Sequence, residues 1–456
     1  MEKKLQIGLI DADLLDNGTR HPNLAQMKIS AFCKQKHSSK LLFGKELGNL
    51  QNYDAIIVSK VFTYTKLPEK LQELIGADDE ATLKKYNTCI KMQIEILEKN
   101  QPDETVIMIG GTGFFSDGGR DLHKEIEHIK PDYGLYSGYI DHMVASGKKR
   151  SYFKDYEGYS IGFTTRGCHR KCDFCVNKKY DKAFIHSPVS EFLDDSRRGI
   201  YLWDDNFFSC KKGRDEILDE LIETGKPFQF RQGLDIRLLN ENLAKKLSRA
   251  KYHGDFIFAF DHYKRDKPII CKKLKLWRDH CKKETKLYVL CAFDPPNLWA
   301  KRNAVVTVQE GQKSDLPDLQ AEQAEYRALE LNDIIATFER IKTIMEFGCL
   351  PYIMRYEAYK NSYFRGMYTE LARWCNQPRF FKKMSFREFC EACQKYHKNK
   401  ETHCSSYRAM IKFEEEYPEE AGKYFDLKFE SINMYKQRSC ITIQNNMLLK
   451  TQEPKG

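Results

Sequence analysis

Cys168, Cys172 and Cys175 stand in the run TTRGCHRKCDFCVN, residues 164 to 177, spaced Cys-x-x-x-Cys-x-x-Cys. Thiolates this close together are ligands for soft metals. Nothing nearby supplies an obvious fourth ligand. His169 adjoins a cysteine and is badly placed to join it, and Cys210 is the nearest later thiol. Structural zinc takes four ligands in paired clusters. Three thiolates instead suit three irons of a cubane whose fourth iron stays open, with zinc as the alternative. Arg166, Arg170 and Lys171 flank the cysteines and would offset the negative charge of such a cluster, or else stand as solvated surface cations.

Such a loop needs a rigid scaffold, and the hydrophobic pattern supplies one. From residue 5 to about 115 the apolar runs LQIGLID, YDAIIVS and TVIMIGG alternate with the helical patterns HPNLAQMKISAFCKQ and TLKKYNTCIKMQIEILEKN. Continuous apolar strands between helices predict an α/β domain with a doubly wound parallel sheet. Residues 116–158 read as a loop-rich linker. From residue 159 six further strand runs follow, at 160–165, 199–205, 228–235, 255–260, 286–293 and 350–356. The first five recur at about 30 residues, the length of a βαβ unit. Six units predict a partial barrel over 159–358 with its chemistry at the C-terminal strand ends. The gap before the last strand exceeds one helix, and residues 295–330 read as an insertion near that mouth. Residues 359–456 form a helical, aromatic and charged C-terminal region whose last dozen residues are expected to be disordered.

The loop Cys168, Cys172, Phe174, Cys175 directly after the first of these strands resembles the Cys-x-x-x-Cys-x-aromatic-Cys signature of the radical S-adenosylmethionine (SAM) superfamily. The resemblance implies a partial (β/α)6 barrel and a [4Fe-4S] cluster whose open iron is chelated by the amino and carboxylate groups of SAM. An electron from the cluster would split the sulfonium, and the resulting 5′-deoxyadenosyl radical would take a hydrogen atom from the substrate. Phe174 would face the adenine. Asp204, Asp205 and Asn206, in WDDNFF, match the position where the superfamily binds the methionine ammonium, which needs acceptors; an Asp capping the helix in GRDEILDELIE is the other reading. Arg231 and Gln232 are polar groups in an apolar strand, suited to the SAM carboxylate, the ribose or the substrate, or to pairing with each other. Asp261 is placed to accept from a ribose hydroxyl. Asp235 and Arg237 follow the third strand and His262 and Arg265 the fourth; Asp294, Arg355 and Glu357 end the last two and would orient substrate. No catalytic acid or base is singled out, because the cofactor carries the hard step.

A doubly wound domain ahead of such a barrel resembles the Rossmann-like, cobalamin-binding arrangement, in which a serine and paired glycines line the nucleotide-tail pocket. Ser59 and the pair Gly110, Gly111 match. The Asp-x-His-x-x-Gly motif that gives cobalt its histidine does not: the chain reads Asp11-Ala-Asp13-Leu-Leu-Asp16, and His21 lies at a different spacing. Gly-Gly is also a generic tight turn, so cobalamin stays open. Cys390, Cys393 and Cys404 pose a second question. They form either an auxiliary metal site, completed by Cys375 or Cys440, or the core face of an amphipathic helix.

Composition bounds the rest. No apolar run approaches the about 20 residues of a membrane span, the N-terminus lacks the features of a signal peptide, and 15 cysteines in a chain of this size read as reduced thiols and metal ligands. A cytoplasmic location is expected. Lys plus Arg number 75 against 65 Asp plus Glu, a net charge of +10. This permits an anionic partner without establishing one. The leading expectation is a radical SAM enzyme modifying an RNA, peptide or small-molecule substrate, by methyl transfer or methylthiolation among other reactions. Its electrons would come from an external donor such as flavodoxin or ferredoxin. The competing class is a non-catalytic nucleic-acid-binding protein with a structural zinc or iron–sulfur element.

Overall fold

The run QIGLID is buried from its second residue on because it lies inside a sheet covered on both faces. It is strand β1 (Gln6–Asp11) of a computed structural model that describes residues 4–76, 79–100, 104–177, 179–293, 317–399 and 401–435. With β2 (Ser38–Leu41), β3 (Ala55–Ser59) and β4 (Val106–Gly110) it forms a parallel sheet in the order β2-β1-β3-β4. Successive side chains point to opposite faces. Ile7, Leu9, Ala55 and Ile57 therefore join Met27 and Ile140 in one core, while Ile10, Ile56 and Val58 join Leu42 and Leu71 in another. Sequence reasoning missed β2: its SSKL carries no apolar run, and an edge position asks for none. The long helix expected over 82–100 is interrupted. Separate helices Glu80–Lys84 and Ile90–Lys99 flank Asn87 and Thr88, whose side chains compete with a helical backbone.

The next strand, β5 (Tyr159–Gly162), is followed by an antiparallel ribbon of β6 (Thr165–Arg166) and β7 (Phe184–Ile185). β5 then pairs in parallel with β8 (Gly199–Leu202), and β8 with β9 (Phe228–Phe230). These elements and the first sheet belong to one compact unit, residues 1–171 and 175–232. A second unit comprises residues 172–174 and 233–456. It contains a parallel sheet of β10 (Phe256–Ala259), β11 (Thr285–Cys291) and β12 (Leu350–Arg355), again in chain order. Helix Tyr263–His280 lies between β10 and β11 in the chain, and the 30-residue helix Pro317–Glu346 leads into β12. The insertion expected at 295–330 falls largely outside the described residues; its end is the start of that helix. Fully buried Trp277 packs edge-on against Phe256 and Phe258 and donates to Thr285 Oγ1 at 2.9 Å. Arg340, 1% exposed, donates to the carbonyls of Asp261 and Leu290, tying the ends of β10 and β11 together. Among the described residues no helix is long and apolar enough to cross a membrane.

Within the first unit, polar contacts join the segment after β1 to the sheet that contains β9. Arg231 follows β9, lies 4.7 Å over the Tyr201 ring, and donates to Gln229 Oε1 at 2.8 Å and to His21 Nε2 at 2.7 Å. His21 Nδ1 faces Asp155 at 3.3 Å, and the Tyr201 hydroxyl donates to the same carboxylate. Burial, reinforced by the charge of Arg231, pushes the His21 imidazole down to about 4 against the pull of Asp155. The ring is therefore neutral and able to accept from Arg231.

Two expectations test this architecture. Gly111 has φ +109°, and a Cβ there would meet the Lys60 carbonyl oxygen at 2.2 Å. Gly111→Ala should cost about 2 kcal/mol of stability, seen as a lower urea midpoint by circular dichroism. Below pH 6.5 the unfolded His21 binds a proton that the folded ring refuses until about pH 4. Stability should fall as pH falls through that window. In His21→Gln the loss of unfolding free energy between pH 7 and pH 5 should be smaller than in the wild type.

Candidate functional site

Because β5 and β8 run parallel, the residues after each strand leave the sheet side by side. Gly162 pairs with Leu202, and Trp203 N donates to the Gly162 carbonyl at 3.0 Å. Asp204 follows and is 2% exposed. Its Oδ1 accepts from both Thr164 Oγ1 and Thr165 Oγ1 at 2.6 Å and from Thr165 N, and its Oδ2 from Thr164 N at 3.2 Å. Burial raises this carboxyl even against those donors. Asp205 Oδ2 accepts from Gly167 N at 2.6 Å and lies 3.5 Å from the buried Arg166 Nε, which makes no hydrogen bond. Asn206 Nδ2 donates to Cys168 Sγ at 3.2 Å. Three consecutive residues after β8 thus hold the chain from Thr164 to Cys168.

The loop itself is pinned at its base. Thr165 and Arg166 pair with Ile185 and Phe184, so the cysteines sit on an excursion closed by a ribbon. Gly167 has φ +87°, and a Cβ there would lie 2.2 Å from the Lys182 carbonyl oxygen; only glycine lets these two stretches pass. The Arg166 guanidinium covers the Phe163 ring at 4.2 Å, and Lys171, at φ +47°, pairs with Asp181 at 2.7 Å. Cys168 Sγ accepts a second N–H, from Arg170 N at 3.4 Å, and Cys175 Sγ accepts from Asn177 N at 3.4 Å.

These donors suit sulfur that carries negative charge, as metal-bound thiolate does. Beside them the Asn206 side chain is 6% exposed, and its Oδ1 is a buried acceptor without a partner. The donor set therefore fits a thiolate-ligated cluster. Among the described residues no three His, Cys, Asp or Glu side chains form a group that could hold a single metal ion. A cubane differs from an ion in giving each thiolate its own iron.

The other residues singled out from the sequence divide among several settings. Asp204 and Asp205 do not cap the helix Arg214–Glu223, whose N-cap is Gly213. Arg231 does not pair with Gln232, which is exposed; its partners are Gln229 and His21. In the second unit Phe174 contacts the rings of His262 and Phe293, at 6.2 and 5.6 Å between centroids. Arg237 and Arg265 both interact electrostatically with Cys172. Arg237 also bridges Asp235 and Asp266, each at 2.7 Å. Burial raises the Asp261 carboxyl, which accepts only weakly from Leu290 N at 3.4 Å. Arg355 bonds Thr369, Glu357 is exposed beside Lys360, and Asp294 lies outside the described residues. Cys390 is fully buried, its thiol pushed up by burial. Cys440 lies outside the described residues. A cavity of about 300 Å³, lined by Tyr363, Met367, Arg408 and Lys412 among others, contains none of these side chains.

In the first sheet the strand order reverses at β1 and β3, where open α/β sheets hold their ligands. Ser59 Oγ there accepts from Asn23 at 2.8 Å, and the Asp13 carboxylate accepts from Val61 N and Phe62 N. Tyr136 donates to Asp11, whose carboxyl burial pushes up to about 6. His21 turns its two nitrogens to Arg231 and Asp155 and does not fit the part of a cobalt ligand. Sequence reasoning missed Thr164, Thr165 and Gly167. Their signal was a pair of hydroxyl side chains directly after an apolar strand, and a glycine before the first cysteine.

No protein-family model matches the sequence. Two solved structures of the radical SAM methyltransferase TsrM from Kitasatospora setae are similar to this chain at 12% identity and a TM-score of 0.39. One has tryptophan and a SAM analogue bound, and its match covers 67% of this chain and 71% of that one. The other has cobalamin and a [4Fe-4S] cluster bound, with 67% and 74% covered.

Proposed function

We propose that the protein is a radical SAM enzyme in which Cys168, Cys172 and Cys175 hold a [4Fe-4S] cluster. The observation that carries this reading is the Cys-x-x-x-Cys-x-Phe-Cys loop emerging from a parallel strand, with N–H groups already directed at Cys168 and Cys175. The cluster, when bound, supplies the electron that cleaves the sulfonium of SAM. Each part of the chain then has a task. Asp204 and Asp205 fix the loop, Asn206 offers an acceptor to the SAM ammonium, and Phe174 lies against the adenine. Arg231, Gln232 and Asp261 serve the SAM carboxylate, the ribose or the substrate. In this reading residues 1–115 form a Rossmann-like domain, 159–358 a partial barrel and 359–456 a helical appendix. The substrate is an RNA, a peptide or a small molecule, and reducing equivalents come from a flavodoxin- or ferredoxin-like donor. Any cobalamin held by residues 1–115 would bind without a histidine ligand from His21, which is committed to Arg231 and Asp155.

Anaerobic reconstitution should give ~4 irons per chain, as one cubane requires, and 5′-deoxyadenosine should form on incubation with SAM and dithionite. Cys168→Ala should lose both. Persistence of 5′-deoxyadenosine in that variant would sink the assignment. Metal that survives air and chelator, together with steeply salt-dependent RNA binding, would favour the non-catalytic alternative. Mass analysis for S-adenosylhomocysteine in the same reactions separates methyl transfer from hydrogen abstraction.

A further inference from the structure

The cavity of about 300 Å³ is built wholly from residues of the second unit and contains none of the cysteine loop. Helix Arg365–Cys375 meets helix Ser405–Glu416 so closely that a Cβ on Gly366 would lie 2.9 Å from that of Ala409, and both residues line the cavity. Buried Phe364, Met367 and Phe413 give it an apolar floor. Arg408, Lys412 and Glu416, at i, i+4 and i+8, set one polar stripe of the second helix along its wall. The charges of that stripe are not equally engaged. Glu416 accepts from the Tyr363 hydroxyl at 2.5 Å and from Arg327 at 2.6 Å, one bond to each oxygen. Lys412 lies 3.9 Å over the Tyr363 ring and feels the Glu416 charge only from beyond ion-pair distance. Arg408 is exposed and, among the described residues, has no hydrogen bond, ion pair or ring contact. Two like charges four residues apart on a helix repel each other. The helix also ends in Glu414, Glu415 and Glu416 with no basic residue in its last turn, the reverse of what its dipole favours. A charge layout that works against its own helix suits a site completed by an anion.

We propose that this cavity is a binding site for a phosphate ester, a nucleotide taken either free or as one unit of an RNA strand. The inference goes beyond the radical SAM reading and does not depend on it. Arg408 and Lys412 supply what a phosphate needs, a planar guanidinium that bonds two oxygens at once and a compact ammonium for a further one. The apolar floor asks for a ligand whose body is also apolar, and a nucleobase provides that through its ring faces. Inorganic phosphate has no such body and would use only the rim.

The test is binding to the full chain as purified. Calorimetry uses uridine and adenosine 5′-monophosphates, the two nucleosides, inorganic phosphate and benzoate; fluorescence anisotropy uses a short labelled single-stranded RNA. A monophosphate or the RNA should bind, the nucleosides and inorganic phosphate should bind more weakly, and rising salt should weaken the charged ligands. Arg408→Ala and Lys412→Ala should each reduce affinity about tenfold, the loss of one charge-assisted contact. Both side chains are exposed and alanine favours helix, so the variants should keep the wild-type circular dichroism. Weaker RNA binding in the variants assigns a unit of a strand, and a loss confined to the monophosphates assigns a free nucleotide. Wild-type affinity in both variants would overturn the inference. So would the absence of any nucleotide or RNA binding, or benzoate bound as tightly as the monophosphates. Iron content and 5′-deoxyadenosine formation are separate readouts, so none of these results touches the cluster assignment.

Discussion

A carboxylate removed from water anchors the loop on which the chemistry depends. Asp204 is charged only at a cost, since an isolated ion in a protein interior loses several kcal/mol of hydration. Four donors from Thr164 and Thr165 offset that cost, and each would be left buried and unsatisfied without the carboxylate. Thr164 and Thr165 are themselves fully buried, so solvent cannot replace the acid. This joint lies just before Cys168 in the chain and fixes the approach to the first thiol.

The joint exists because two strands are parallel. In a parallel pair the chain leaves both strands at the same end, so residues 203–206 and 163–168 emerge together. An antiparallel neighbour would have sent WDDNFF to the opposite edge. The same geometry brings Arg231, after β9, to Tyr201 and His21. The electrostatics then divide into two kinds. His21 and Arg231 form a contact in which one partner is kept neutral, while the sulfurs of Cys168 and Cys175 accept backbone N–H groups.

Much of this was legible in the sequence. The apolar runs located nine of the parallel strands because buried strands in α/β sheets leave a signal no solvated segment imitates. The cysteine spacing located the loop. What periodicity could not supply was partnership. β2 was invisible because an edge strand of Ser, Ser, Lys and Leu is held by its neighbour rather than by its own hydrophobicity. The ribbon of β6 and β7 is a pairing between segments far apart in sequence. Asp204 and Asp205 were recognised as acceptors, but which donors they meet depends on the register between β5 and β8, and no local pattern encodes register. Arg231 was marked for its polarity, yet its partner His21 lies 210 positions away.

The ribbon carries an evolutionary implication. With Thr165 and Arg166 fastened to Phe184 and Ile185, and Asp181 and Lys182 bearing on Lys171 and Gly167, the return of the loop is held near its base. Doubling a closed loop adds only about 0.6 kcal/mol of closure entropy. Extra residues between Asn177 and Lys179 would therefore leave the ribbon and the contacts of Asp181 and Lys182 in place. New recognition surface can grow there, beside a centre whose own placement is guaranteed from the opposite strand.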